Sequence, residues 1–295
     1  MKKINFLLFT LFLICLTACS SGSSSNDDVD PVDDGPDQVD RSQNLLATGA
    51  SANDILSNTN FDRIQVEIAF VEGFRPTAEA MTNFENFLRE RTFKQQVDID
   101  FLEIPSVGST EITLQEIANL ETENRTAYNN GNTIAIYIFF ADASAEGDNL
   151  DSGVVTLGAV YRNTSMVIYE RTVQALAGRS LTITDADVET ATLNHEFGHL
   201  FGLVNLGTVP VNDHEDPNAL NHCVIDGCLM QAELTFGSPS SRQAIGFGTQ
   251  KIQSACSLSG LHIMNILESH AARGLAVVPD LDPECILDLQ NNGGR

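Results

Sequence analysis

The chain has 295 residues, enough for one sizeable domain of about 250 residues once its N-terminus is set aside. Sixteen basic residues against forty acidic ones give a net charge of −24, which argues against nucleic acid as a partner because phosphate recognition needs basic patches. The acidity says little about substrate and mostly reports solubility; there are no internal repeats, and no apolar run beyond the N-terminus is long enough to span a membrane.

Lys2 and Lys3 precede an apolar run from Phe6 to Leu16, too short for a stable span. Leu16-Thr17-Ala18-Cys19 follows, so residues 1–18 read as a signal peptide. That ending resembles the bacterial lipobox, which implies that Cys19 becomes the lipidated first residue and attaches the chain to a membrane. The plainer alternative is a signal peptide with an incidental cysteine. Residues 19–45 are rich in Ser, Asp, Gly and Pro and cannot offset their ordering entropy, so they read as an acidic disordered tether. The aspartates at 27, 28, 30, 33 and 34 are solvating charge on the plain reading. They also resemble the acidic stretch of surface-exported lipoproteins in Bacteroidetes-type bacteria. That resemblance implies an outer-membrane lipoprotein facing the periplasm or the cell surface. Residues 46–295 are left as the folded domain.

Within it, Arg63 to Phe70 alternates like a strand, and Thr77 to Phe93 carries apolar residues at helical spacing. Val97 to Ile104 reads as a strand and Ile112 to Tyr128 as a helix. Thr133 to Phe140 (TIAIYIFF) is a nearly continuous apolar run, hence a buried central strand. Val154 to Tyr161 and Ser165 to Tyr169 read as shorter strands, Asp185 to Leu203 as a helix capped by Thr184 or Asp185, and Leu258 to Ala272 as a late helix. The order implies an α+β domain: a twisted mixed sheet backs one functional helix, and a smaller C-terminal part ends in a helix.

That helix carries Asn194-His195-Glu196-Phe197-Gly198-His199-Leu200-Phe201-Gly202, an H-E-x-x-H-x-x-G pattern. Residues four apart share a helix face, so His195 and His199 can offer two imidazole nitrogens to one metal ion. Glu196 is placed to act as a general base on water there. Leu193, Phe197, Leu200 and Phe201 would then face the core, and Gly202 would let the chain turn sharply out of the helix.

The pattern resembles the metzincin zinc peptidases, which place a third histidine three residues past the glycine. Here that position is Asn205, a poor zinc ligand beside neutral imidazole. Downstream, His222-Cys223-Val224-Ile225-Asp226-Gly227-Cys228-Leu229-Met230 resembles the corresponding segment of the archaemetzincins, although an insertion separates it from Leu203. The resemblance implies that His222 is the third ligand of one catalytic zinc and that Met230 is the apolar floor beneath it. His214 is the rival third ligand, and Asp216 a weaker one. An acid from a later helix, Glu268, would fit a different zinc-helix clan. His262 and His270 read as structural or surface residues. Leu157 to Tyr161 resembles the substrate-aligning edge strand of metzincins, though a plain hairpin strand reads equally well. Tyr161 and Tyr169 are unsupported as oxyanion helpers.

Beyond Cys15 and Cys19, the cysteines are Cys223, Cys228, Cys256 and Cys285. An even count in an exported chain points to disulfides, with three pairings open. Archaemetzincins use cysteines for a second, structural zinc, two of them in a C-x-x-C pair. No such pair exists here, so two disulfides and a single catalytic zinc are expected. The functional expectation is a lipid-anchored zinc metallopeptidase acting on peptides or proteins. A non-catalytic peptide- or glycan-binding lipoprotein that retains the fold is the alternative.

Overall fold

The computed structural model describes residues 40–151, 155–231 and 260–295. The expected signal peptide, Cys19, most of the tether and Cys256 lie outside the described residues. In chain order the elements are α1 (Ala52–Leu56), β1 (Arg63–Phe70), α2 (Ala78–Arg91), β2 (Gln96–Glu103), β3 (Glu111–Ile112), α3 (Leu114–Asn124), β4 (Thr133–Phe140), β5 (Ser144–Ala145), β6 (Gly158–Arg162), β7 (Ser165–Ile168), α4 (Glu170–Ala177), α5 (Asp185–Leu200), β8 (Glu215–Asp216), β9 (Ala219–Cys223), α6 (Gly260–Ala272) and α7 (Pro283–Asn291). The described residues 40–45, expected as the end of the tether, belong to the compact unit. The reason is local. Asn44 is buried and its side-chain amide donates to the Ala135 carbonyl and to Thr164 Oγ1, pinning the incoming chain to the sheet.

The main sheet has the order β2-β1-β4-β7-β6. Its first four strands are parallel, and β6 runs antiparallel to β7 at the edge. This is the α+β class with a mixed sheet. The apolar run of β4 has both faces covered. Ile134, Ile136, Ile138 and Phe140 point into the core shared with α2 and α5, while Tyr137 and Phe139 point into a second core with Ile117 and Ala118 of α3.

Helix α5 starts at a reciprocal cap: Thr184 Oγ1 accepts the Asp187 amide at 3.2 Å, and Asp187 Oδ2 accepts the Thr184 amide at 2.9 Å. From Ala186 to Leu200 every residue but Asp187 is buried, so the helix is wrapped on all sides. It packs against α2, β6, α4 and α6. Phe84 of α2 meets Phe197 edge-on at 5.2 Å, and Phe197 meets Phe201 at 5.1 Å. Truncating a phenylalanine buried this way costs about 3–5 kcal/mol, so the helix is held rigidly against the sheet.

Three features of the C-terminal half lie outside the expected elements: the short helix α4, the β8–β9 hairpin and α7. The hairpin and α7 turn out to build the functional region.

Candidate metal centres

Helix α5 presents His195, Glu196 and His199 together, and β9 brings His222 to them. His195 and His199 face each other with their Nε2 atoms 3.2 Å apart. One ring nitrogen from each of the three histidines lies within 4.8 Å of the others, and the ring centroids are 5.0–5.3 Å apart. His195 Nδ1 donates to the Leu229 carbonyl at 2.7 Å, and His222 Nδ1 donates to the Leu220 carbonyl at 2.9 Å. A carbonyl can only accept, so both neutral rings are held as Nδ1–H tautomers with the Nε2 lone pair turned inward. Zinc at about 2.0–2.1 Å from each nitrogen sets nitrogen–nitrogen separations of about 3.3–3.4 Å in a tetrahedral site, so the donor set fits that ion.

Electrostatics favour the same occupant. Burial, then the neighbouring His195 and His222, push His199 well below its ordinary value; burial also lowers His222. His199 and His222 are therefore held toward the neutral, ligating form. Glu196 is fully buried, and among the described residues the one group that favours its charged form is the backbone amide of Val160 on the edge strand. Desolvation pushes its carboxyl well above the usual range. A buried acid left in this condition marks a site built for a charge partner or a reacting group.

Two glycines fit the centre to its surroundings. A Cβ on Gly158 of the edge strand would sit 2.7 Å from Glu196 Cγ. A Cβ on Gly198 would sit 2.2 Å from Met230 Sδ. Gly198 thus lets the Met230 thioether pack directly under the helix, one residue before His199. Gly202, with φ +77°, then ends α5, and Val204 and Asn205 stay in the left-handed region at 51° and 63°.

His214 does not join this trio, which corrects its standing as a rival third ligand. It is buried elsewhere, with Nδ1 3.3 Å from Cys223 Sγ and Nε2 donating to Asp288 Oδ2 at 2.8 Å. Cys285 Sγ lies 4.0 Å from the same Nδ1 and 3.7 Å from Cys228 Sγ. His214, Cys223, Asp282 and Cys285 place donor atoms within 4.8 Å of one another, with Cys228 alongside.

No disulfide joins the three described cysteines, and Cys256 lies outside the described residues. Cys223, Cys228 and Cys285 are free thiols, and the 3.7 Å between Cys228 and Cys285 is far beyond the roughly 2.05 Å of a disulfide. It is close to the roughly 3.8 Å between two sulfurs on one tetrahedral zinc. Hydrogen bonds from Cys228 and Cys285 push the Cys223 thiol down, while Cys228 and Cys285 are pushed up against it. Desolvation opposes charge on His214, but hydrogen bonding to Asp288 and Cys223 raises it overall. One thiolate shared among thiols and an imidazole is a metal-ligating chemistry.

The remaining candidates fall away from both clusters. Glu268 accepts from Ser180 Oγ at an exposed position, and half-buried His270 bonds the Ala276 carbonyl. Asp216 caps the Asn218 amide. The Tyr161 hydroxyl is buried in the core of Tyr137, where desolvation, then the Glu121 charge, raise it. Tyr169 is buried in the same core, and desolvation, then the charges of Asp148 and Glu196, raise its hydroxyl.

No family model matches the chain, and no curated protein matches it. Among solved structures it is similar to the archaemetzincin of Methanopyrus kandleri, with a TM-score of 0.44 and 15% identity over 78% of this chain and 96% of that one. What the chain can do is therefore argued from its own residues.

Proposed function

We propose that the chain is a zinc metallopeptidase of metzincin-like type, hydrolysing peptide bonds in peptides or proteins. The observation that carries this is the convergence of the His195, His199 and His222 nitrogens beside the fully buried Glu196 carboxylate. A zinc ion held by the three imidazoles would supply a Lewis acid that acidifies water, polarises a carbonyl oxygen and by its charge keeps Glu196 ionised. Glu196 takes the proton of the attacking water on a carboxylate oxygen and passes it to the leaving amine. The Leu229 and Leu220 carbonyls hold two of the rings in the ligating tautomer. Met230 gives the centre an apolar floor, and Gly158 brings the edge strand against Glu196.

A second, structural zinc takes the place of the expected disulfides, held by His214, Cys223, Cys228 and Cys285. Four donors close it to substrate, and Asp288 orients His214 through its other nitrogen. The N-terminus adds an anchor: lipidated Cys19 and an acidic tether hold the domain at the outer membrane, on its periplasmic or outer face. Metabolic fatty-acid labelling that persists in Cys19→Ala would remove that assignment.

Metal analysis of the full chain tests the central reading. Two zinc ions are expected per chain, one lost in His195→Ala and His222→Ala, the other in His214→Ala. Glu196→Gln should keep both ions and lower peptide hydrolysis by about 10²–10⁴-fold. Zinc at the histidine centre with no hydrolysis of any peptide by the wild type would leave the non-catalytic binding lipoprotein in its place. No zinc there at all would remove the peptidase reading.

A further inference from the structure

Asn205 stands where a third histidine was expected, and its side chain has another partner. Its Nδ2 donates to Glu215 Oε2 at 3.2 Å. The other oxygen, Glu215 Oε1, accepts the backbone amide of Asn221 at 2.6 Å. Asn221 immediately precedes His222 and has φ 66°, a left-handed conformation that a non-glycine residue holds only where its surroundings compensate. Asn205 also has a left-handed φ, 63°, which together with Val204 directs the chain leaving α5 toward the hairpin.

These contacts close a circuit. The first two imidazoles come from α5. The chain leaves α5 at Gly202, reaches Asn205, crosses through the Glu215 carboxylate to the Asn221 amide, and ends at His222. The β8–β9 pairing by itself locates His222 poorly, because the hairpin is only two residues wide at β8 and its register is broken between Glu215 and Asp216. We propose that Glu215 is a positioning residue for the histidine centre: its carboxylate bridges α5 to β9 and keeps His222 within reach of a metal shared with His195 and His199. This rests on the metallopeptidase reading above and adds to it a residue that touches neither metal nor substrate.

Cobalt(II) binding to the full chain tests it without any activity assay. The d–d absorption of the histidine centre is read as the difference between the spectra of the wild type and His195→Ala, because the cysteine cluster adds d–d bands of its own to its thiolate-to-cobalt charge-transfer bands. Glu215→Ala should weaken cobalt binding at the histidine centre by about 10–100-fold and shift its d–d band, with the thiolate bands retained. Glu215→Gln keeps one carbonyl oxygen for the Asn221 amide and should fall between Glu215→Ala and wild type. Wild-type affinity and an unshifted d–d band in Glu215→Ala would overturn the proposal. If Glu215→Ala lost both sets of bands, the hairpin would have unfolded, and Asn205→Ala would decide, since it removes one solvent-facing bond. Weaker binding in Asn205→Ala at the histidine centre alone supports the bridge; unchanged binding overturns it. A cobalt spectrum and stoichiometry unchanged in His195→Ala would instead fail the metallopeptidase reading itself, which is a different result from any of these.

Discussion

The two clusters in the C-terminal half are built from opposite kinds of parts. The histidine centre takes two ligands from one turn of a fully buried helix and a third from a strand. The cysteine cluster draws on the inserted loop, the 223–228 turn and α7, so its donors span more than seventy residues of sequence. Yet the segment 222–230 serves both. It supplies His222, the Leu229 carbonyl and Met230 to one centre, and Cys223 and Cys228 to the other. The Cys223 amide also donates to the Met230 carbonyl at 2.8 Å, which closes the segment on itself. One centre is left with three protein donors and a buried acid beside it. The other is saturated by protein donors. On the proposed reading, that contrast separates a site that can accept substrate from one that can only hold the fold.

Removing the second centre should have the largest effect. Structural zinc contributes on the order of 10 kcal/mol in zinc-finger peptides, comparable to the whole stability of many domains. Cys285→Ser or Cys223→Ser should therefore lose one zinc and the cooperative thermal transition, while His195→Ala loses one zinc and keeps the transition. Thiol titration in denaturant with chelator and no reductant sharpens the point: Cys223, Cys228 and Cys285 should all react. Recovery of no thiol would restore the disulfide expectation.

The contrast also explains what could be read ahead of the structure. His195, Glu196 and His199 are contiguous on one helix, so their spacing alone aligns them. The TIAIYIFF run announced β4 because a strand covered on both faces needs no alternation. His214 gave no such signal. Its partners, Cys223, Cys285 and Asp288, are joined by the fold and by no spacing, so it looked like a loop histidine among acids. Helix α7 could have been seen: Asp282 before Pro283 is an N-cap followed by proline at the first turn. Gly198 was passed over as an unassigned position within the motif, because only the packed position of Met230 gives it a role.

That position makes the next test, smaller in effect but clear in sign. On helix propensity alone, Gly198→Ala should stabilise α5 by about 1 kcal/mol. With Met230 Sδ 2.2 Å from the new methyl, we expect destabilisation of about 1–3 kcal/mol and weaker zinc binding at the histidine centre. Met230→Ala alone leaves a cavity. The double variant should be less destabilised than the sum of the two, because each relieves the other. Strict additivity would mean that the thioether does not pack against the helix as described.

The smallest expected effect concerns the other end of α5, where a buried acid pair involves no metal. Glu189 accepts the Thr77 amide and hydroxyl at the start of α2, and the buried Glu170 of α4 shares a side-chain hydrogen bond with it. Burial, then the Glu189 charge, push Glu170 from its ordinary 4.5 up to about 10. A carboxyl raised on folding stabilises the native state fully below its unfolded value, and that contribution is lost as pH rises toward its folded value. Between pH 6 and 9 the wild type should therefore lose stability progressively. Glu170→Gln, which fixes the neutral form, should hold its stability and exceed the wild type by about 1–3 kcal/mol at the upper end. Thermal unfolding with both centres saturated in zinc checks this. Parallel pH profiles for the two proteins would show that Glu170 is already ionised in the fold.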